Sequence, residues 1–589
     1  MTINCKDIDI TGGFWHETQA RNREATVPAV RQRFIETGRF AALDFSKPWA
    51  KGQKPHIFWD SDVAKWLEAA AYILQKQADP LLEQAMEEAV ALIEKHQGKD
   101  GYFNIFFTRV EPRNRWKDRS AHELYCAGHL MEAAVAYYEA TGRDRFLNCM
   151  IKYAAYIEKV FMIEKSAAFV TPGHEEIELA LVKLYHCTGD ARWLRLSQFF
   201  IDQRGANDKD ASIYSARQAY CQSHLPVRKQ ATAEGHSVRA AYLYCAMADL
   251  AAELNDEGLL KACRALFENI TEKRMYITGG LGSSHHGEAF TFDYDLPNET
   301  AYSETCASIG LALFARRMSA LEPDSRYADA AERAVYNCLL AGLSEDGGAF
   351  FYENPLEIHP DIRKRGERFP ITQRKKVFDC SCCPPNVARF IASYADFLFT
   401  REGNTLFVHQ YASARTNCVE MTTEYPRDGQ ISLKVRGLKR LALRIPGWCE
   451  AFQCSAPGNL DRGYYYVDIP EDNFALTLTL DMPVRLAYAD PRVYENIGRT
   501  AIMRGPIVYC LEAIDNGDNL RALSIVPDTQ CTGGFDLLEC DGYRVEEQQA
   551  LYSNKPPGRA PQRLKFIPYY QYANRGESEM AVWVRAEGV

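Results

Sequence analysis

Hydrophobic positions along this chain follow two periods. From about residue 20 to about residue 400 they recur at helical spacing: Leu67, Ala70, Ala71 and Leu74 follow Asp60-Ser61-Asp62, and Ala85, Ala89, Leu92 and Ile93 repeat the pattern in the next segment. Turns such as Thr141-Gly142-Arg143-Asp144 and Thr188-Gly189-Asp190 stop these helices. From about residue 404 the period falls to two. Ile431, Leu433 and Val435 alternate with Ser432, Lys434 and Arg436, and Leu476, Leu478 and Leu480 alternate with Thr477, Thr479 and Asp481. Short spacing between turn residues, as at Pro426-Arg427-Asp428-Gly429 and Pro446-Gly447, predicts β-sandwich material. Arg504-Gly505-Pro506-Ile507-Val508-Tyr509 is expected to open a second sandwich, and residues 553–563, rich in Pro and basic residues, read as a loop.

The helical part carries a weak repeat. The segment Ala140 to Leu147 resembles Cys187 to Leu194, each lying between two helix patterns, so helical hairpins recur. Polar residues stand where the first helix of each hairpin should start: Asp60 and Ser61, His122, His174, His236, Glu304 with Cys306, and Cys382-Cys383. Six such starts, roughly 50 to 75 residues apart, predict six hairpins closed into a ring. The inner helices would share one direction, with their N-termini and partial positive charge at one polar mouth. The expected fold class is α+β multidomain: an (α/α)6 barrel followed by one or two β-sandwich (jelly-roll-like) domains. Expected boundaries are 1–402 for the barrel, with the first ten or so residues free to join a sandwich, then 403–500 and 501–589 for the two sandwiches.

Composition narrows the function. Across 589 residues, 69 basic and 78 acidic side chains leave a net charge of −9, which argues against a nucleic-acid partner. A hydrophobic fraction of 47% excludes disorder on a large scale. No run approaches the ~18 apolar residues of a membrane span. Met-Thr-Ile-Asn-Cys-Lys-Asp at the start shows no secretory pattern, so the expected compartment is the cytoplasm. There the 18 cysteines stay reduced. Cys126, Cys149, Cys245, Cys263 and Cys338 sit within helical patterns as packing residues.

The remaining thiols call for chemistry. In Cys380-Ser381-Cys382-Cys383-Pro384-Pro385-Asn386, Cys383 precedes a proline and is pushed toward extended backbone. A proline at 384 or 385 suits a first helical position, so the thiols lie at a helix N-terminus, where thiolate is favoured. Glu304 and Cys306, two apart, could share a metal only if the helix starts near Cys306. With Cys382 and Cys383 they make a candidate Cys3Glu zinc site, since three thiolates favour zinc over calcium or magnesium. Buried, inert cysteines are the plain alternative.

At this point the chain resembles glycoside hydrolase family 127, the β-L-arabinofuranosidases. The resemblance runs from Gly12-Gly13-Phe14-Trp15 to Arg504–Tyr509 and is carried by Gly287-Glu288-Ala289-Phe290, Leu296-Pro297-Asn298, Tyr302–Cys306 and Cys382–Asn386. It implies the same barrel-plus-sandwich fold and a retaining, zinc-dependent exo-glycosidase acting on β-linked L-arabinofuranose, or a closely related pentose, in oligosaccharides. It implies Cys382 as nucleophile, Glu288 as acid/base, Glu304, Cys306, Cys382 and Cys383 as zinc ligands, and His122, His174, His236, Glu332 and Tyr352 as sugar contacts. Cys380 is an extra thiol with no assigned role. The sandwiches are expected to buttress the barrel or serve a homodimer interface. Two other readings stand beside this one. The first is an (α/α)6 enzyme of another class, an epimerase, lyase or inverting glycosidase with a merely structural zinc. The second is a non-catalytic carbohydrate-binding protein.

Overall fold

The computed structural model describes residues 3, 5–208, 215–365, 371–527 and 529–586. Six helices form the inner ring: α1 (Trp59–Leu74), α2 (Glu123–Thr141), α3 (Ile177–Thr188), α4 (Ser237–Leu254), α5 (Thr305–Leu321) and α6 (Cys383–Ala392). Each packs on the next, and α6 packs back on α1, which closes the ring. A helix enclosed on all sides has no solvent face. Accordingly every residue from Glu123 to Tyr137 of α2 is buried, and small residues such as Ala133, Ala134 and Ala136 let neighbouring helices approach.

The outer helices are one-sided instead. Arg145–Ile157 buries Phe146, Leu147, Cys149, Met150, Tyr153, Ala154 and Ile157 at helical spacing. Aspartates cap several of them by accepting backbone N–H bonds: Asp79 from Leu81 and Leu82, Asp190 from Arg192, Asp256 from Leu259 and Asp324 from Arg326. The turns read as stops do end inner helices, since Gly142 and Gly189 take left-handed φ values of 69° and 72° at the C-caps of α2 and α3. Trp15, fully buried, stacks on Tyr394 and donates to the Tyr336 hydroxyl at 2.8 Å, so the Gly-Gly-Phe-Trp motif wedges the helix Gly13–Arg21 against the ring.

Two antiparallel-rich sheets follow the ring. One runs in the order Asp9–Gly12, Ser413–Arg415, Val419–Thr423, Gln430–Val435, Phe474–Leu480, Phe452–Cys454. Residues near the N-terminus therefore join this sheet. The other holds Asn459–Asp461, Tyr464–Asp468, Arg440–Arg444, Thr405–Val408 and Phe399–Glu402. Ile431, Leu433, Val435, Leu476, Leu478 and Leu480 are buried, as their alternation predicts.

The last part of the chain is one sheet rather than two facing ones. Its strands Arg499–Arg504, Val584–Ala586, Leu523–Ile525, Leu538–Val545, Arg559–Pro568 and Ile507–Glu512 pair in that order, and the last pairs back on the first. Pairing to Arg499–Arg504 also brings in Val484–Ala487, and a short strand from the barrel side, Glu357–Ile358, pairs with Met580–Ala581. Residues 559–563, read as loop from their composition, are strand. They pair only with Leu538–Val545, so Pro561 sits where the ladder has a free edge and its missing N–H costs no bond.

One cysteine pair departs from the reduced-thiol expectation: Cys531 and Cys540 form a disulfide. Thr532–Gly533 pairs with Leu538–Glu539, which places the two flanking cysteines opposite each other with Cα atoms 4.4 Å apart. That register is not visible in composition. Among the described residues, no helix is long and apolar enough to cross a membrane.

Candidate active site

The start of α5 decides whether Glu304 and Cys306 can act together. The helix begins at Thr305, and Glu304 is its extended N-cap with φ −67° and ψ 135°. The condition set by the sequence is met, and both side chains face one point. Tyr352 arrives beside them because Thr305 N–H donates to its carbonyl at 2.9 Å, and Asn354 pins the same turn through Ser303 O and Thr305 Oγ1. The α6 start differs from expectation in one detail. Cys383 is helical despite preceding a proline, and Cys382 is the N-cap. Within a first turn the prolines give up no intrahelical bond, which offsets their push on the preceding residue.

Four donor atoms converge there. Cys306 Sγ lies 3.3 Å from Cys383 Sγ and 3.8 Å from Cys382 Sγ, with Cys382 and Cys383 sulfurs 3.7 Å apart. Glu304 Oε1 is 3.9 Å from Cys382 Sγ and 3.8 Å from Cys383 Sγ. Tetrahedral zinc–sulfur bonds of about 2.3 Å would set sulfur–sulfur edges near 3.8 Å, so the donor set fits that ion. The other Glu304 oxygen is buried without a hydrogen bond. Burial together with the Glu288 and Cys382 charges pushes the Glu304 carboxyl well up. Burial also raises Cys306, but the hydrogen bonds it shares with Cys382 and Cys383 outweigh this and hold it down to about 6. Four acids at this spacing cannot all ionise without a cation. Cys306 and Cys383 are sealed, whereas Cys382 is only half-buried and is the thiol of the three that reaches the mouth. Its sulfur is 3.2 Å from the Tyr352 hydroxyl, which also stands 3.9 Å from Cys380 Sγ.

Glu288 approaches from a tight loop. Ala289 and Ser284 exchange backbone hydrogen bonds, Phe290 N–H donates to Gly235 O, and Ser237 Oγ donates to Glu288 O at 3.1 Å. Gly287 and Glu288 take positive φ, 72° and 54°, which turns the carboxyl toward the start of α4. There His236 caps α4, accepting the Val238 N–H at Nδ1. Its other nitrogen, Nε2, therefore carries the hydrogen and lies 2.8 Å from Glu288 Oε2. Burial disfavours ionised Glu288, yet hydrogen bonds from His236 and Tyr302 outweigh it and hold the carboxyl below its usual range.

The histidines line the rest of the mouth. His122 and His174 rings are 5.6 Å apart, as are His174 and His236. Burial keeps His122 and His174 well below the usual histidine range, so both are neutral. His174 gives its Nδ1–H to the Glu175 carbonyl at 2.9 Å, which leaves Nε2 to accept from a hydroxyl. Of the residues singled out from the sequence, Glu288, Glu304, Cys306, Cys382, Cys383, His122, His174, His236 and Tyr352 come together here.

Glu332 does not. Its carboxylate is taken up by the sandwich: Arg444, Tyr425 Oη and Trp448 Nε1, the last at 3.0 Å. It sits on an outer helix and serves as a buried strut, not a sugar contact. Glu332→Ala leaves Arg444, fully buried, short of its main counter-charge. We expect a loss of about 3 kcal/mol in denaturant unfolding, with KM unchanged in the folded fraction. A raised KM at unchanged stability would return Glu332 to the sugar site.

Sequence reasoning missed several neighbours. Phe58 stands edge-on to His122 at 4.5 Å, and Tyr125 packs on His174 at 4.2 Å. Arg39 pairs with Asp62 at 2.8 Å and donates to the carbonyls of Phe378 and Asp379, fixing the loop that delivers Cys382. Asp62 lay within the motif that marks the start of α1; its long-range partner gave no local signal.

Comparison with known proteins agrees with this architecture. Residues 7–396 match a family model described as Beta-L-arabinofuranosidase, GH127 catalytic domain, and residues 484–585 match the Glycoside hydrolase family 127 C-terminal domain. A non-reducing end beta-L-arabinofuranosidase of Bifidobacterium longum subsp. longum is 37% identical, over 90% of this chain and 89% of its own. The crystal structure of a GH127 beta-L-arabinofuranosidase from Geobacillus stearothermophilus T6 superposes with a TM-score of 0.93 at 41% identity, covering 98% of this chain and 100% of that one. A second solved GH127 beta-arabinofuranosidase gives 0.90 at 33% identity, covering 100% and 98%. The fold is thus that of a glycoside hydrolase. The chain belongs to family 127 of that class.

Proposed function

We propose that the protein is a retaining, zinc-dependent exo-glycosidase that releases β-linked L-arabinofuranose, with Cys382 as nucleophile and Glu288 as acid/base. The observation that carries this reading is the convergence of three thiols and Glu304 on one point at the mouth, with Cys382 alone of the three thiols open to it. The substrate class rests on the similarity to the arabinofuranosidases above.

Cys382 sulfur attacks the anomeric carbon, forming a C–S bond as the glycosidic C–O bond breaks. For this step Glu288 must carry a proton, although its carboxyl in the free enzyme is held below the usual range, and it gives that proton to the leaving oxygen. In the second half, Glu288 takes a proton from a water that attacks the same carbon, and the Cys382 sulfur leaves. Zinc, held by Glu304, Cys306, Cys382 and Cys383, would keep the sulfur deprotonated and make it a better leaving group. His236 orients the Glu288 carboxyl through its Nε2–H, while His122, His174 and Tyr352 offer hydrogen bonds to the sugar hydroxyls.

The pH profile tests the Glu288 assignment. His236→Ala removes the strongest of the groups that favour the ionised carboxylate and leaves only the Tyr302 hydrogen bond and the Arg239 charge against burial, so the Glu288 pKa rises. A general acid then keeps its proton to higher pH. The alkaline limb of kcat/KM should move to higher pH as kcat/KM falls; an unmoved limb contradicts the role of His236. For the reaction itself, aryl glycosides led by the β-L-arabinofuranoside should be screened with metal analysis on the same sample. Turnover of that substrate with about one zinc per chain is expected; active protein free of zinc refutes the thiolate mechanism.

A further inference from the structure

The loop that carries Glu288 runs on to meet the segment before the strand Arg499–Arg504 of the last sheet. The acid/base marks the leaving-group side, since it protonates the departing oxygen. The chain continues from Glu288 into a loop that is firmly held: Phe290 N–H donates to Gly235 O at 2.9 Å, Thr291 Oγ1 donates to Asp295 at 2.5 Å, and Arg274 pairs with Asp293 at 2.7 Å. Yet Phe292, four residues from the acid, is 67% exposed.

The segment around residues 488–497 lies against this loop. The Arg492 guanidinium sits 3.8 Å over the Tyr294 ring, Asn298 N–H donates to Glu495 at 2.7 Å, and Asn298 Nδ2 donates to Asn496 at 2.7 Å. Leu296 and Ala489 pack on the same buried cluster. The result leaves Tyr488 and Tyr494 in solvent, 51% and 62% exposed, on the same junction as Phe292.

We propose that Phe292, Tyr488 and Tyr494 bind the sugar residues on the leaving-group side of the cleaved bond. This rests on the arabinofuranosidase reading above. Aromatic rings offer flat apolar faces to the C–H faces of sugars, and a tyrosine adds a hydroxyl that stays hydrated. The backbones that carry them are already held by the bonds just described, so little ordering is left for binding. The occupant is a neutral glycan rather than an ionic partner because the exposed groups are rings, while the adjacent Arg492 is engaged by Asp490 and Tyr294. Phe292 follows the acid/base by four residues, and the segment that carries Tyr488 and Tyr494 is bonded to the same loop, so on this proposal the last sheet helps select substrate length.

Calorimetry in the Glu288→Gln background tests this with methyl β-L-arabinofuranoside and a β-L-arabinofuranosyl trisaccharide. Phe292→Ala with Tyr494→Ala should weaken trisaccharide binding roughly tenfold and leave the methyl glycoside unaffected. In the turnover-competent enzyme the same pair should raise KM for the trisaccharide and not for an aryl glycoside. Equal effects on both ligands, or none, overturn the proposal while leaving the arabinofuranosidase reading intact. A fall in sedimentation coefficient caused by the two substitutions, with ligand binding unchanged, would make the patch a self-association surface and also overturn it. If the unaltered enzyme neither cleaves nor binds arabinofuranosides, both readings fall.

Discussion

Cys382→Ser is expected to lower kcat by at least about 10³-fold, while the thermal unfolding midpoint stays within a few degrees of the parent. The sulfur is the group that must attack, hold the sugar and then leave. A serine hydroxyl in its place keeps an oxygen near Glu304 and the two sealed thiols but is a poorer nucleophile and a poorer leaving group. Stability should change little because Cys382 is half-buried at an N-cap, and its backbone, not its side chain, starts α6. The corresponding change at Cys306 or Cys383 should behave differently. Both are sealed in the core, so replacing either should cost stability as well as activity. Equal behaviour of all three variants in unfolding and turnover would remove the distinction between nucleophile and buried ligand.

Glu288→Gln is the second large effect. General acid catalysis contributes about 10²- to 10⁴-fold, and the loss should follow that range. It should also depend on the leaving group. An aryl oxygen departs with little protonation, so an activated aryl glycoside should lose less than a sugar leaving group does. Glutamine keeps the size of the side chain and can still accept from His236 Nε2, so the loop that holds Ala289 and Phe290 should stay in place. A uniform loss across leaving groups would point to a binding role. Wild-type rates on a disaccharide would remove Glu288 from the chemistry.

Much of the ring was legible because each inner helix starts on polar side chains that have no reason to sit in a core. His122, His174, His236, Glu304 and Cys382 all mark such starts, and they meet at one mouth. The Glu304–Cys306 pair was legible only conditionally, since its geometry turned on one residue of helix boundary. Glu332 was misplaced because the resemblance carried it over on a short flanking match, and the arginine that takes up its carboxylate, Arg444, lies in a strand more than a hundred residues later. The closed last sheet was hidden for a similar reason: alternation gives strands, whereas closure depends on which strand pairs with Arg499–Arg504.

The central claim is that the sugar passes through a bond to Cys382. Two displacements at one carbon leave its configuration unchanged. Proton NMR of an early time course on a β-L-arabinofuranoside reads this directly. The account predicts that β-L-arabinofuranose appears first and the α anomer only later, by mutarotation. First appearance of the α anomer would contradict it.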